Sequence, residues 1–279
     1  MSQLDVNYVT AKLTSTEKNR MFYPHILKNI RSFIHKSQDA DQLDDGRKDM
    51  SHINSILKKY EHAYLPKIKR DKFHFFHSLP AEGKLLDVGC GNDSPEYTKS
   101  ILPSWYYIGL DVGDYNQHSK SKADKYIITD SSKFTDAILS FKNQIDAVVS
   151  SHNLEHCDDR CGTLNAIAQS LRSGGRLYIS FPTHDSITFH KGRNGCLNYY
   201  DDNSHKDFPP NFGKVIQILT ENGLVIDFAT TNYQPPIEWF QGLINEEISA
   251  RELKTKEGTW ELWGFETIIW ATRPPEPNL

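Results

Sequence analysis

The segment SSHNLEHCDD, Ser150 to Asp159, places two histidines, a glutamate and two aspartates at the polar end of an apolar run. Three chemistries fit those residue types. In the first, His156 is a general base, with Glu155 orienting it or capping the next helix. In the second, His152, Glu155 and His156 hold a metal. Their H-x-x-E-H spacing puts i, i+3 and i+4 on one helix face, and a fourth ligand is available from His184, His190 or His205. In the third, Glu155 and His156 brace a loop through backbone hydrogen bonds while His152 packs beside a bound ligand. The elements around the segment have to decide its surroundings.

Upstream, LLDVGCGN (Leu85–Asn92) ends an apolar run at a carboxylate, Asp87. Gly89 and Gly91 then let the backbone approach a ligand closely at a helix N-terminus. About twenty residues on, a second run ends in Asp111, where an acidic side chain can accept both hydroxyls of a ribose. The runs KLLDVGC, WYYIGLDV, KYIITD, QIDAVVSS and GGRLYISFP alternate with helix-like segments. One of these, GTLNAIAQSLRSGG, puts Leu164, Ile167, Ala168 and Leu171 on one face, with Gly174 and Gly175 as its stop. KVIQILTENGLVIDFAT adds a helix and a sixth strand, PPIEWFQGLINEEISARELK a short helix, and TWELWGFETIIWATR a closing alternating strand. Strands that are apolar throughout and alternate with helices predict a parallel sheet covered on both faces, a doubly wound Rossmann-like α/β domain.

Residues 1–74 read as a helical N-terminal extension. A capping box, TSTE at Thr14–Glu17, precedes Phe22, Ile26, Ile30 and Phe33 on one face. Ile53, Ile56, Leu57, Tyr60 and Tyr64 make a second stripe. The α/β domain is expected over 75–279. Its long connection at 182–213 is polar and rich in aromatics, a length that points to function and a composition that points to order.

Composition narrows the class. The 279 residues carry a net charge of −4, unlike a dedicated nucleic-acid domain, although residues 1–80 hold 14 Lys/Arg against 9 Asp/Glu. No apolar run approaches the roughly 18 residues of a membrane span, and the start lacks a signal-peptide core. Four scattered cysteines make no disulfide framework, so a reduced cytoplasmic protein is expected.

Taken together, LLDVGCGN, GLDV, YIITD, IDAVVSSHNLEH and LRSGGRLYISFP resemble the successive motifs of the class I S-adenosylmethionine-dependent methyltransferases, over roughly residues 75–273. That resemblance implies a seven-stranded sheet whose last strand is antiparallel, and S-adenosylmethionine as the cofactor. It also implies that Gly89 and Gly91, with Asn92, flank the methionine part, that Asp111 and Val112 hold the ribose, and that Asp130 and Ser131 lie at the adenine edge. Asp87 would orient the glycine loop or reach the cofactor's amino group, and His152 would lie beside the cofactor. His156, Glu155 and His184 become the candidate catalytic groups. Tyr199, Tyr200, Asp201, Asp202 and His205 become candidate acceptor-binding groups, suited to stacking on and hydrogen bonding with a sugar.

The run GCLNYYDD together with GTWELWGFETIIWA resembles bacterial members associated with surface-polysaccharide biosynthesis. The expected activity is therefore O-methylation of a sugar or other small hydroxyl acceptor, with no metal and no nucleic-acid partner. The H-x-x-E-H run also looks like the E-x-x-E-H metal motif of small-RNA 2′-O-methyltransferases, with His152 in place of the first glutamate. An N- or RNA-directed methyltransferase and a non-catalytic methyltransferase-like scaffold are the alternatives.

Overall fold

A computed structural model describes residues 69–91, 93–114 and 122–275. The helices expected before residue 69, and Asn92, lie outside the described residues. The sheet contains β1 (Lys84–Val88), β2 (Tyr106–Asp111), β3 (Lys125–Ile128), β4 (Ile145–Ser151), β5 (Leu171–Pro182), β6 (Val225–Thr230) and β7 (Glu266–Thr272). Their spatial order is β3-β2-β1-β4-β5-β7-β6. β1 to β5 run parallel, and β7 runs antiparallel to both β5 and β6. The order reverses between β1 and β4, so the carboxyl ends of those two strands open a crevice at the switch point.

The helices are α1 (Lys72–His77), α2 (Ser94–Ile101), α3 (Phe134–Leu139), α4 (Arg160–Ser170), α5 (Phe212–Glu221), α6 (Pro236–Glu252) and α7 (Thr259–Trp263). Three begin on a side chain that accepts a backbone N–H of the first turn: Asp71 for α1, Asp159 for α4 and Asn211 for α5. Alternate strand residues feed two cores. Leu86, Val88, Ile108 and Val148 meet Leu164, Ile167 and Leu219 on one face. Leu85, Tyr107, Val149 and Tyr178 meet Phe75, Trp105 and Trp270 on the other. This double burial accounts for strands without polar alternation.

Gly174 and Gly175 do not stop α4. The helix ends at Ser170, and Leu171 already pairs with Ile145. Pairing then resumes between Ala147 and Arg176, so the glycines lie in a bulge of β5. A Cβ on Gly175 would meet Arg172 O at 2.8 Å and Ile145 O at 3.0 Å, so close backbone approach is the reason for that glycine. α6 spans 17 residues, longer than the short helix expected there. The 182–213 connection is ordered, with 3-10 turns at His184–Thr188 and Tyr199–Asp201.

Candidate active site

A cleft of about 580 Å³ lies over the carboxyl ends of β1, β2 and β4, a volume suited to a nucleoside-sized ligand. Gly89 and Gly91 form its floor, and both have positive φ, +74° and +54°. A Cβ on Gly91 would meet nothing within 4 Å. Gly89 is different: its Cβ would come within 2.3 Å of Asn153 Oδ1. One glycine therefore leaves space open to a ligand, and the other lets the β1 loop pack on the end of β4.

At one end of the cleft, Asp111 accepts the N–H of Gly91 (2.8 Å) and of Val112 (2.7 Å). Burial raises the pKa of this carboxyl, and those two N–H groups pull against the rise. Asp87 lies beneath the loop, where Oδ2 accepts the hydroxyls of Ser94 (2.6 Å) and Tyr107 (2.7 Å). It thereby joins β1 to the start of α2 and to β2. Ser131 lines the cleft, whereas Asp130 precedes it as the exposed N-cap of a 3-10 turn.

The other end is built by SSHNLEHCDD and the 199–208 loop. After β4, His152 turns at φ 51° and leads into the 3-10 turn Leu154–His156. The His152 ring lies between two carboxylates, Nδ1 3.1 Å from Glu155 Oε1 and Nε2 2.7 Å from Glu266 Oε1, and stacks on Phe265. Burial works against its charged form, but hydrogen bonds and charges from Glu155 and Glu266 outweigh it and push the pKa up to about 10. His152 is thus an imidazolium held between carboxylates.

Glu155 neither orients His156 nor caps α4. Its Oε1 belongs to His152, Asp159 caps the helix, and Ser204 Oγ is the group 3.0 Å from His156 Nδ1. The H-x-x-E-H set is redrawn as well. Both His152 nitrogens are engaged by carboxylates, and Glu155 and His156 instead come together with His205, one ligand atom of each lying within 4.8 Å of the others. His184 and His190 are exposed and do not line the cleft.

Of the expected acceptor groups, Asp202 lines the cleft and His205 packs against His156, their ring centroids 4.8 Å apart. The others build the loop. Tyr199 is buried and donates its hydroxyl to Lys206 O (2.7 Å). Asp201 accepts the N–H groups of Gly192, Leu197 and Asn198. The Tyr200 ring is exposed, with the Lys191 ammonium over it.

Sequence reasoning missed Arg160. Its guanidinium donates to the carbonyls of Leu154 (2.9 Å), Glu155 (3.2 Å), Lys206 (2.7 Å) and Phe208 (2.6 Å), and to Tyr199 Oη (3.1 Å). It binds the β4 turn to a loop about forty residues away. Nothing in the spacing of an arginine one position inside a helix signals that role.

A family model described as a methyltransferase domain matches residues 57–234. An uncharacterized protein of Methanocaldococcus jannaschii is 28% identical over 123 residues, 42% of this chain, and the chain spans only 32% of that relative's length. Among solved structures, the chain is similar to an S-adenosylmethionine-dependent methyltransferase from Mesorhizobium loti, with 17% identity, TM-score 0.48, and coverage of 72% of this chain and 95% of the other. It is also similar to one from Archaeoglobus fulgidus, with 18% identity, TM-score 0.46, and coverage of 78% and 93%.

Proposed function

The chain belongs to the methyltransferase-domain family, and from that premise we propose that its cleft binds S-adenosylmethionine and directs methyl transfer to a hydroxyl of a small or carbohydrate acceptor. When bound, S-adenosylmethionine supplies a sulfonium methyl open to in-line displacement by an acceptor atom. The observation that carries the reading is one continuous cleft that joins Gly91 and Asp111 to His156, Asp202 and Ser204. Its fit to the cofactor rests on the open space above Gly91 and on the buried carboxylate of Asp111 beside it.

The chain's own residues then have a positioning task. The Gly89–Gly91 backbone and Asp111 hold the cofactor end. His156, Asp202, Ser204 and Lys206 form a polar wall for the acceptor, and aligning the reacting atoms is the main source of rate for so reactive a methyl donor. A wall of hydroxyl, carboxylate, imidazole and ammonium groups supports a polyhydroxylated acceptor such as a sugar destined for a surface polysaccharide. Calorimetry with S-adenosylhomocysteine tests the reading. One site per chain is expected, weakened at least tenfold by Asp111→Ala. Absence of binding to the folded protein would favour the non-catalytic scaffold.

A further inference from the structure

We propose that Glu155, His156 and His205 form a divalent transition-metal site at the acceptor end of the cleft, and that the ion holds the acceptor through its hydroxyl oxygens. The binding of the ion follows from the geometry alone; only its role in holding an acceptor rests on the methyltransferase reading above.

Three observations converge. Glu155 is fully buried, and its Oε2 has no hydrogen-bond partner among the described residues. His152 meets the other oxygen, Oε1, so Oε2 is the half of this buried carboxylate left to be met by a further cation or donor. Each of the three residues offers a ligand atom within 4.8 Å of the others. Ligands about 2.1 Å from a shared ion stand roughly 3–4 Å apart, so small side-chain rotations close the set.

The third observation is where the histidine protons lie. Tyr199 O can only accept, so His205 Nδ1, 2.5 Å away, carries the hydrogen and leaves Nε2 with its lone pair. Ser204 Oγ spends its single proton on Asp202 Oδ1 (2.6 Å), so His156 Nδ1 donates to that oxygen and its Nε2 is likewise left free. Each outer hydrogen bond thus selects the tautomer whose Nε2 is the ligand nitrogen, the arrangement that metal-binding histidines show. Asp202 Oδ2, 3.9 Å from His205 Nε2, stands beside the set.

Two nitrogens and one carboxylate suit a first-row ion such as zinc better than calcium or magnesium. Three protein ligands leave positions open, and His156 and Asp202 face the cleft, so those positions point to where an acceptor sits. A hydroxyl bound there becomes more acidic. As its oxygen bonds to the methyl carbon, the carbon–sulfur bond breaks with its electron pair returning to sulfur, and the hydroxyl proton passes to cleft water.

The test uses the tag-free, full-length chain stripped with chelator and then titrated with Zn²⁺ and Mn²⁺ by calorimetry, with S-adenosylhomocysteine binding measured on the same samples. One equivalent of metal per chain is expected, weakened at least tenfold by His156→Asn and by His205→Asn, and unchanged by His77→Asn on α1. Glu155→Gln should do the same if it folds; the two histidine variants keep the test independent of that. S-adenosylhomocysteine affinity should stay within about threefold in all of them. Intact S-adenosylhomocysteine binding without stoichiometric metal, or metal binding that survives both histidine variants, overturns the metal site. Metal binding without S-adenosylhomocysteine binding would leave the ion in place and overturn the cofactor reading.

Discussion

Gly89 and Asn153 share one volume: a β-carbon on the glycine would stand 2.3 Å from Oδ1 of the asparagine. The end of β1 and the end of β4 therefore interlock beneath the cleft, and the backbone at Gly89 has φ +74° besides. Gly89→Ala meets both obstacles, a left-handed conformation costing about 1–2 kcal/mol and an overlap that must push Asn153 aside. The expected result is at least tenfold weaker S-adenosylhomocysteine binding by calorimetry, with a lowered melting temperature. Native affinity in Gly89→Ala would show that the two strand ends are not coupled as described.

His156→Ala separates the two ends of the cleft. Turnover should fall by about 10²-fold or more, since the proposed ion that acidifies the reacting hydroxyl loses a ligand, while S-adenosylhomocysteine affinity stays within about twofold. Steady-state kinetics together with calorimetry read the two effects apart. Full turnover in this variant would assign the side chain a bracing role only.

Arg160→Met removes donors from four carbonyls and a phenol oxygen while keeping the apolar stem. Leaving those acceptors short of partners should cost about 2–4 kcal/mol, measured by urea unfolding. Limited proteolysis should begin to cut within 199–208. A loss below about 0.5 kcal/mol would mean that solvent replaces those bonds freely.

Glu261 gives the fold a pH dependence away from the cleft. Burial first, then the charges of Glu266, Glu238 and Asp71, push its pKa from 4.5 to about 7. Below about pH 4.5 both folded and unfolded chains hold this proton. Between there and pH 7 the unfolded chain releases it while the folded chain retains it, so this group's contribution to stability falls as pH rises and levels off above 7. Glu261→Gln removes that loss. Thermal melts should show it more stable than the parent at pH 8, on the order of 1–3 kcal/mol, with the difference shrinking toward pH 4.5. Equal melts at pH 8 would contradict the buried-carboxyl account.

Leu164 and Ile167 are legible in the sequence because a helix face repeats at its own period, and the five apolar runs are legible because a sheet covered on both sides leaves no polar alternation. Asp111 and Gly91 were legible because a strand end, a glycine and a carboxylate follow one another at local spacing. What failed to show depends on distant pairings. His152 leaves the ligand set, while His205 stays in it, because Glu266 reaches His152 from β7, 114 residues along. Tyr199 and Asp201 looked like acceptor groups by type, yet the loop consumes them: a connection of that length has backbone N–H and carbonyl groups of its own to satisfy. Gly174 and Gly175 read as a helix stop because a bulge uses the same residue type for a different close approach.

On the acceptor reading proposed above, the five bonds of Arg160 also bear on how acceptors are chosen. Swinging a wall fastened at so many points would break those hydrogen bonds, so this side of the cleft is costly to reshape around each candidate. It works as a fixed gauge. Molecules that match its outline are admitted and near misses are turned away by collision rather than by weaker attraction, so widening the enzyme's tolerance should begin at that arginine instead of at the groups that touch the acceptor.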